Sequence, residues 1–193
     1  MAPPQVLAFA GSSREESYNR RLLANAVPLL EAEGIGCTLI ELRDYPLPIY
    51  DGDLEAARGV PDNAIELRAL FKAHRGLLIA APEYNSSVSP LLKNTIDWVS
   101  RPVPREPGSL PFQDKLAALL SASPGGFGGL RGLAALRPVL VTLGVVVLPQ
   151  QFCLAQAHAA FTDDGSLRDG QVRERLQAVL RALARWLRAS GRP

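Results

Sequence analysis

The chain has 193 residues, of which 47% are hydrophobic and 21% charged, and its formal net charge is +2. That length fits a single domain spanning residues 1–193, and the composition excludes a disordered, collagenous or coiled-coil chain. No apolar run reaches the ~20 residues a membrane-spanning helix needs, and the N-terminal residues carry no leader-like pattern, so a cytoplasmic protein is expected.

Gln5–Ala10 is a short apolar run ending at Gly11, which predicts a buried strand. A polar loop over Gly11–Tyr18 follows. Leucines at helical spacing then predict a helix over Asn19–Glu33, closed by Gly34 and kinked at Pro28. Gly36–Leu42 reads as a second strand. Arg43–Pro61, rich in proline, aspartate and glycine, reads as a surface loop. Asp62–His74 is predicted helical, Gly76–Ala81 a third buried strand, and Pro90–Arg101 a helix with proline in its first turn. Pro102–Pro111 reads as a linker. Lys115–Ser121 is a fourth strand, Ser123–Gly129 a glycine-rich loop, and Leu130–Leu143 a helix. Val145–Leu148 is a fifth strand, and Glu174–Arg188 a final amphipathic helix.

Strands apolar on both faces, alternating with helices, predict a parallel sheet covered on both sides. Five such strands suit a flavodoxin-like, doubly wound three-layer α/β sandwich of order 2-1-3-4-5. In that order ligands bind beyond the carboxyl ends of strands one, three and four. The three loops there are also the most unusual polar stretches of the chain.

The first, Gly11-Ser12-Ser13-Arg14-Glu15-Glu16-Ser17-Tyr18-Asn19, leaves a strand and opens a helix. Free N–H groups, the helix dipole, three neutral donors and Arg14 suit a terminal phosphate. The alternative is a loop whose serines only cap the helix. The pattern is neither GxGxxG nor a P-loop. The second loop, Pro82-Glu83-Tyr84-Asn85-Ser86-Ser87, can line a flat heterocycle or be an ordinary turn. The third, Ser123 to Gly129, holds four glycines that let backbone approach a ligand.

Other chemistries find little support. Cys37 and Cys153 form no CxxC pair and read as small core residues, and His74 and His158 are the only histidines, so no metal site is expected. The C-terminal helix is arginine-rich but lacks interleaved aromatics, so nucleic acid is not expected as a partner. The stretch Ser121-Ala122-Ser123-Pro124-Gly125 lacks the first glycine of a GxSxG elbow, against a serine hydrolase.

The stretches GSSREESYN (11–19), PEYNSSVSPLLKNTIDWVSR (82–101) and the glycine-rich loop with Leu133–Pro149 behind it resemble the NADPH-dependent FMN reductase family. The likeness spans roughly residues 5–150. It implies an enzyme that takes electrons from NADPH or NADH through FMN to a small acceptor: a quinone, azo or nitro compound, metal oxyanion or free flavin. It assigns Ser12, Arg14, Ser17 and Asn19 to the FMN phosphate. Pro82, Glu83, Tyr84 and Asn85 fall to the ribityl chain and isoalloxazine edge, and Ser123, Gly125 and Gly128 to the pyrimidine side.

Lys93, Asn94 and Asp97 belong to the same pattern and read as anchoring residues, with Trp98 as packing. Ser89-Pro90 stands where such proteins often have Pro-Gly, which bears on substrate preference. No acid–base side chain is required, because the cofactor carries the chemistry. A ping-pong cycle on one open flavin face is expected, in a homodimer or homotetramer with contacts at Arg101 and the 102–111 loop. The competing reading is a carrier or regulatory module that binds flavin or nucleotide without NAD(P)H turnover.

Overall fold

The computed structural model describes residues 5–190. Five parallel strands form the sheet: β1 (Gln5–Ala10), β2 (Gly36–Ile40), β3 (Gly76–Ala80), β6 (Leu116–Ala122) and β7 (Val146–Leu154), in the order β2-β1-β3-β6-β7. Counting only these strands, the order is the expected 2-1-3-4-5. A separate two-stranded hairpin, β4 (Glu83–Tyr84) with β5 (Ser87–Val88), follows β3.

Side-chain alternation along the strands builds the two halves of the core. Val6, Ala8, Ala10, Leu78, Ala80, Leu116, Ala118 and Leu120 pack against α1 (Tyr18–Glu31) and α6 (Gly170–Ala189). Leu7, Phe9, Leu77, Ile79, Ala117 and Leu119 face the other way. They pack against α3 (Asp62–Ala73), α4 (Pro90–Val99) and α5 (Leu130–Thr142). Both faces of β1, β3 and β6 are therefore apolar, as a sheet covered on both sides requires.

Three segments depart from the sequence expectation. The 43–61 stretch is not wholly irregular: α2 (Gly52–Arg58) forms there, its first N–H groups capped by the Asp51 carboxylate. The second loop contains the hairpin, turned by Asn85 and Ser86 at φ 50° and 64°. Positive φ at both central residues is the tight turn that matches strand twist. β7 runs past the expected Val145–Leu148, through Pro149, to Leu154. It is an edge strand, so a missing N–H on its outer side breaks no ladder bond. Its register against β6 shifts between Ala117 and Leu119.

The anchoring residues behave as expected. Fully buried Trp98 donates its indole N–H to Pro48 O at 2.7 Å, and Asn94 donates to the same carbonyl while accepting from Tyr50 N. Lys93 pairs with Asp97 one turn on. Arg101 is held within the chain, bonded to Glu55 and stacked over the Tyr50 ring. The 102–111 loop is pinned from beneath by buried Arg68, which donates to the carbonyls of Val99 and Arg101 and pairs with Glu106.

Lys115, just before β6, gives the fold a distinctive pH response. Its side chain is buried, and the His74 carbonyl is its hydrogen-bond partner. Burial pushes its pKa down from 10.5 to about 8. Below about 8 the amine is charged in both states and the burial penalty on folding is fully felt. Between about 8 and 10.5 the unfolded chain holds more protons than the folded one, so stability rises with pH. Thermal melts from pH 7.5 to 10 should show wild type gaining on Lys115→Met by several degrees. A constant gap between the two would refute this.

Candidate functional site

The carboxyl ends of β1, β3 and β6 open into a cleft of about 260 Å³. Ser12, Arg14, Ser17, Asn19, Pro82, Glu83, Tyr84 and Ser123 line it together, with Tyr18, Ala122 and Pro124. Eight of the eleven residues singled out from the sequence thus converge. Asn85 stands outside the lining at the hairpin tip, as do Gly125, exposed in the glycine loop, and Gly128, buried at its end. A wider cleft of about 550 Å³ lies at the opposite, amino-terminal ends of the strands beside Arg75 and Lys115. Size alone does not locate the site; strand polarity does.

The first loop presents donors rather than spending them on the helix. Ser17 is the N-cap of α1, yet its hydroxyl makes no capping bond. Ser12 and Ser17 are both buried. The N–H groups of Ser13, Glu15 and Glu16 have no partner among the described residues. Ser13, Glu15 and Glu16 are exposed, so their N–H groups are open to solvent, and beside the start of a 14-residue helix such open donors suit an anion. The reading in which the serines merely cap the helix does not fit Ser17.

Three side chains brace the loops to one another. Asn19 accepts from Ala122 N and donates to Ala122 O, both at 3.0 Å, tying α1 to the end of β6. This uses its amide oxygen and one N–H. Ser89, the N-cap of α4, donates to Gly11 O at 2.7 Å and so joins the second loop to the first. The Ser89-Pro90 departure is therefore a brace between loops. Glu83 turns its carboxylate to the start of α5, accepting from Arg131 N and Gly132 N at 3.0 and 3.1 Å and from Arg131 Nε at 2.7 Å. Burial raises the Glu83 pKa, but these bonds from Arg131 and Gly132 outweigh it and hold the carboxyl below its ordinary range. Arg131 in turn lies over the Phe127 ring, 5.1 Å from its centroid.

The glycine loop needs its glycines. Gly129 sits at φ 86°, where a Cβ would come 1.9 Å from Ser121 Oγ. A Cβ on Gly128, at φ 58°, would come 2.8 Å from Ala155 N. Sequence reading missed Gly129, because glycine density does not say which glycine is sterically compelled. It also missed Arg131, a cation one residue into the helix that the loop opens.

Buried hydroxyls, unpartnered N–H groups, a guanidinium and a helix start together fit a phosphate monoester. The glycine loop and the hairpin supply backbone beside it. Residues 4–159 match the family described as NADPH-dependent FMN reductase. The chain belongs to that family. It is accordingly an NAD(P)H-dependent oxidoreductase with FMN as its cofactor. The chain is 40% identical over 186 residues to an NAD(P)H-dependent FMN reductase of Pseudomonas aeruginosa, covering 95% of each protein. It is 38% identical over 182 residues to an NAD(P)H:quinone oxidoreductase of Solanum tuberosum, covering 93% of this chain and 90% of that protein.

Among solved structures, the flavoenzyme NAD(P)H:acceptor oxidoreductase FerB of Paracoccus denitrificans superposes with a TM-score of 0.82 at 30% identity. That match covers 98% of this chain and all of FerB. An archaeal flavodoxin, at 7% identity and a TM-score of 0.60, shares the fold. No helix among the described residues is long and apolar enough to cross a membrane.

Proposed function

We propose that this FMN reductase relative passes electrons from NAD(P)H to a quinone at the cleft beyond β1, β3 and β6. The observation that carries the site is the convergence there of three loops whose free donors are neutral or cationic. Ser12, Ser17 and Arg14 bind the FMN phosphate, and the N–H groups of the first loop complete its cradle. Asn19 stands behind them, holding Ala122 in place. Pro82, Glu83, Tyr84 and Asn85 run along the ribityl chain and ring edge. Of these, Glu83 works through Arg131 and Gly132, fixing the start of α5. Ser123, Gly125 and Gly128 belong to the pyrimidine side, where the glycine loop lets backbone approach the ring.

When bound, FMN supplies the two-electron exchange between nicotinamide and acceptor. The chain's own part is to hold it with one face open. A single open face implies that the two substrates bind in turn. The naming of several relatives as quinone reductases supports the acceptor. A cytoplasmic setting and a homo-oligomer belong to the same proposal. The apolar groove of Ile96, Pro138, Val139 and Leu143 between α4 and α5 offers a face to a second copy, and sedimentation tests it.

The deciding experiment is an anaerobic titration of the FMN-loaded protein with NADPH, followed by initial rates with a benzoquinone. Bleaching of the flavin band and parallel double-reciprocal lines are expected. Flavin that NADPH leaves unbleached would favour a carrier, and intersecting lines would overturn the alternating cycle.

Ser17 gives a sharper check on the phosphate site. A hydrogen bond to a charged group is worth about 1.5–3 kcal/mol, so Ser17→Ala should raise the FMN dissociation constant about tenfold or more. An ordinary N-cap serine costs about 1 kcal/mol of stability on removal. Ser17 makes no cap bond, so the flavin-free variant should melt within about 1 °C of wild type. A destabilised variant with unchanged FMN affinity would return Ser17 to a capping role.

A further inference from the structure

We infer that Arg20, on the outer side of α1, is a positioning residue for the phosphate cradle. It does not line the cleft. Its Nη1 donates to the carbonyl oxygens of Arg14 and Glu15, at 3.3 and 3.1 Å, and its Nε donates to Glu41 at 2.9 Å. Glu41 lies just beyond β2, so the guanidinium is clamped from the sheet edge before it reaches the loop.

The peptide plane turns the following N–H groups to the side opposite this pull. In a trans peptide the C=O of one residue and the N–H of the next point in opposite directions. Arg20 draws Arg14 O and Glu15 O to its own side, into a groove shared with Arg21, Leu39 and Glu41. The N–H groups of Glu15 and Glu16 must therefore point away from that groove. They are among the loop N–H groups with no partner within the described residues. One planar fork can engage two successive carbonyls and a carboxylate at once; a lysine ammonium has no such fixed fork. Arg20 thus sets the direction of two backbone donors without touching the ligand.

This inference rests on the FMN reading above, and its test separates the two. FMN and riboflavin differ by the phosphate alone, so the dissociation constants of both are measured by flavin fluorescence on flavin-free protein. Wild type that fails to prefer FMN to riboflavin would overturn the phosphate site itself, before any variant is made. If it does prefer FMN, Arg20→Ala should weaken FMN about tenfold while leaving riboflavin within about twofold.

Arg20→Lys keeps the charge but loses the fork, so it should recover only part of the loss. Glu41→Gln, which loosens the clamp, should shift FMN in the same direction by less. Melting temperatures of the flavin-free variants verify that each is folded. A purely structural tie between α1 and β2 predicts parallel loss of both ligands, and a purely electrostatic role predicts full recovery in Arg20→Lys. Either result, or no change in Arg20→Ala, overturns the inference.

Discussion

Replacing Gly129 by alanine should lower the melting temperature by about 5–15 °C and weaken FMN binding with it. Two effects add at this position. The residue sits in the left-handed region at φ 86°, where a residue with a Cβ is disfavoured by roughly 1–2 kcal/mol. The new Cβ would also come 1.9 Å from Ser121 Oγ and 2.7 Å from Ser121 Cβ. Ser121 has no room to yield: it is fully buried, and its hydroxyl donates to Ala81 O at 2.7 Å. Overpacking of this kind costs about 1–3 kcal/mol.

Either Ser121 rotates and orphans Ala81 O, or the start of α5 moves and takes the glycine loop with it. Both displace a wall of the cleft. Ser121→Ala in the same chain removes the nearer contact and leaves the farther one. The double variant should therefore be less destabilised than the two single changes predict together. Melts followed by circular dichroism and an FMN titration provide the measurement. An alanine variant melting within about 2 °C of wild type would mean that the loop adapts freely.

Asn19→Ala should be nearly as damaging, at about 2–4 kcal/mol, because one side chain satisfies both backbone polar groups of buried Ala122. Asn19 is 3% exposed, and without it Ala122 N and Ala122 O lose their partner on α1. FMN affinity should fall as well, since the same bonds hold the first loop to the third. Asn19→Asp separates the two halves of the brace. A carboxylate still accepts from Ala122 N but cannot donate to Ala122 O while ionised. Asn19→Asp should accordingly be more destabilised at pH 7 than near pH 4. A loss of FMN affinity in Asn19→Ala with no change in melting would show instead that the amide serves only the ligand.

The contrast between Ser17 and Asn19 shows where sequence reading stops. Both are polar residues at the start of a predicted helix, and both were assigned to the same phosphate. Residue type and spacing place both in the cleft. They do not say that one hydroxyl is left free while the amide is used on a strand 103 residues away. Glu83 makes the same point. Its place after a buried strand marks it as a site residue, but its partners Arg131 and Gly132 lie almost fifty positions on.

Local pattern by itself determined the five strands, their flanking helices and the switch-point loops, and the motif stretches at 11–19 and 82–101 carried the resemblance to the family. Apolar runs, helical spacing and glycine punctuation are short-range signals, and parallel order follows from alternating strands and helices. The length of β7 was not legible, because proline marks a break unless the strand lies at an edge, and edges exist only in the assembled sheet. The hairpin and α2 were hidden for a similar reason: turn-forming residues permit both loop and structure, and the neighbouring elements decide. The cross-braces of Asn19, Ser89, Glu83 and Arg20 were decided by tertiary structure alone. A hydrogen bond between distant segments leaves no period in the sequence, and its direction is fixed only when packing brings donor and acceptor within 3 Å or so.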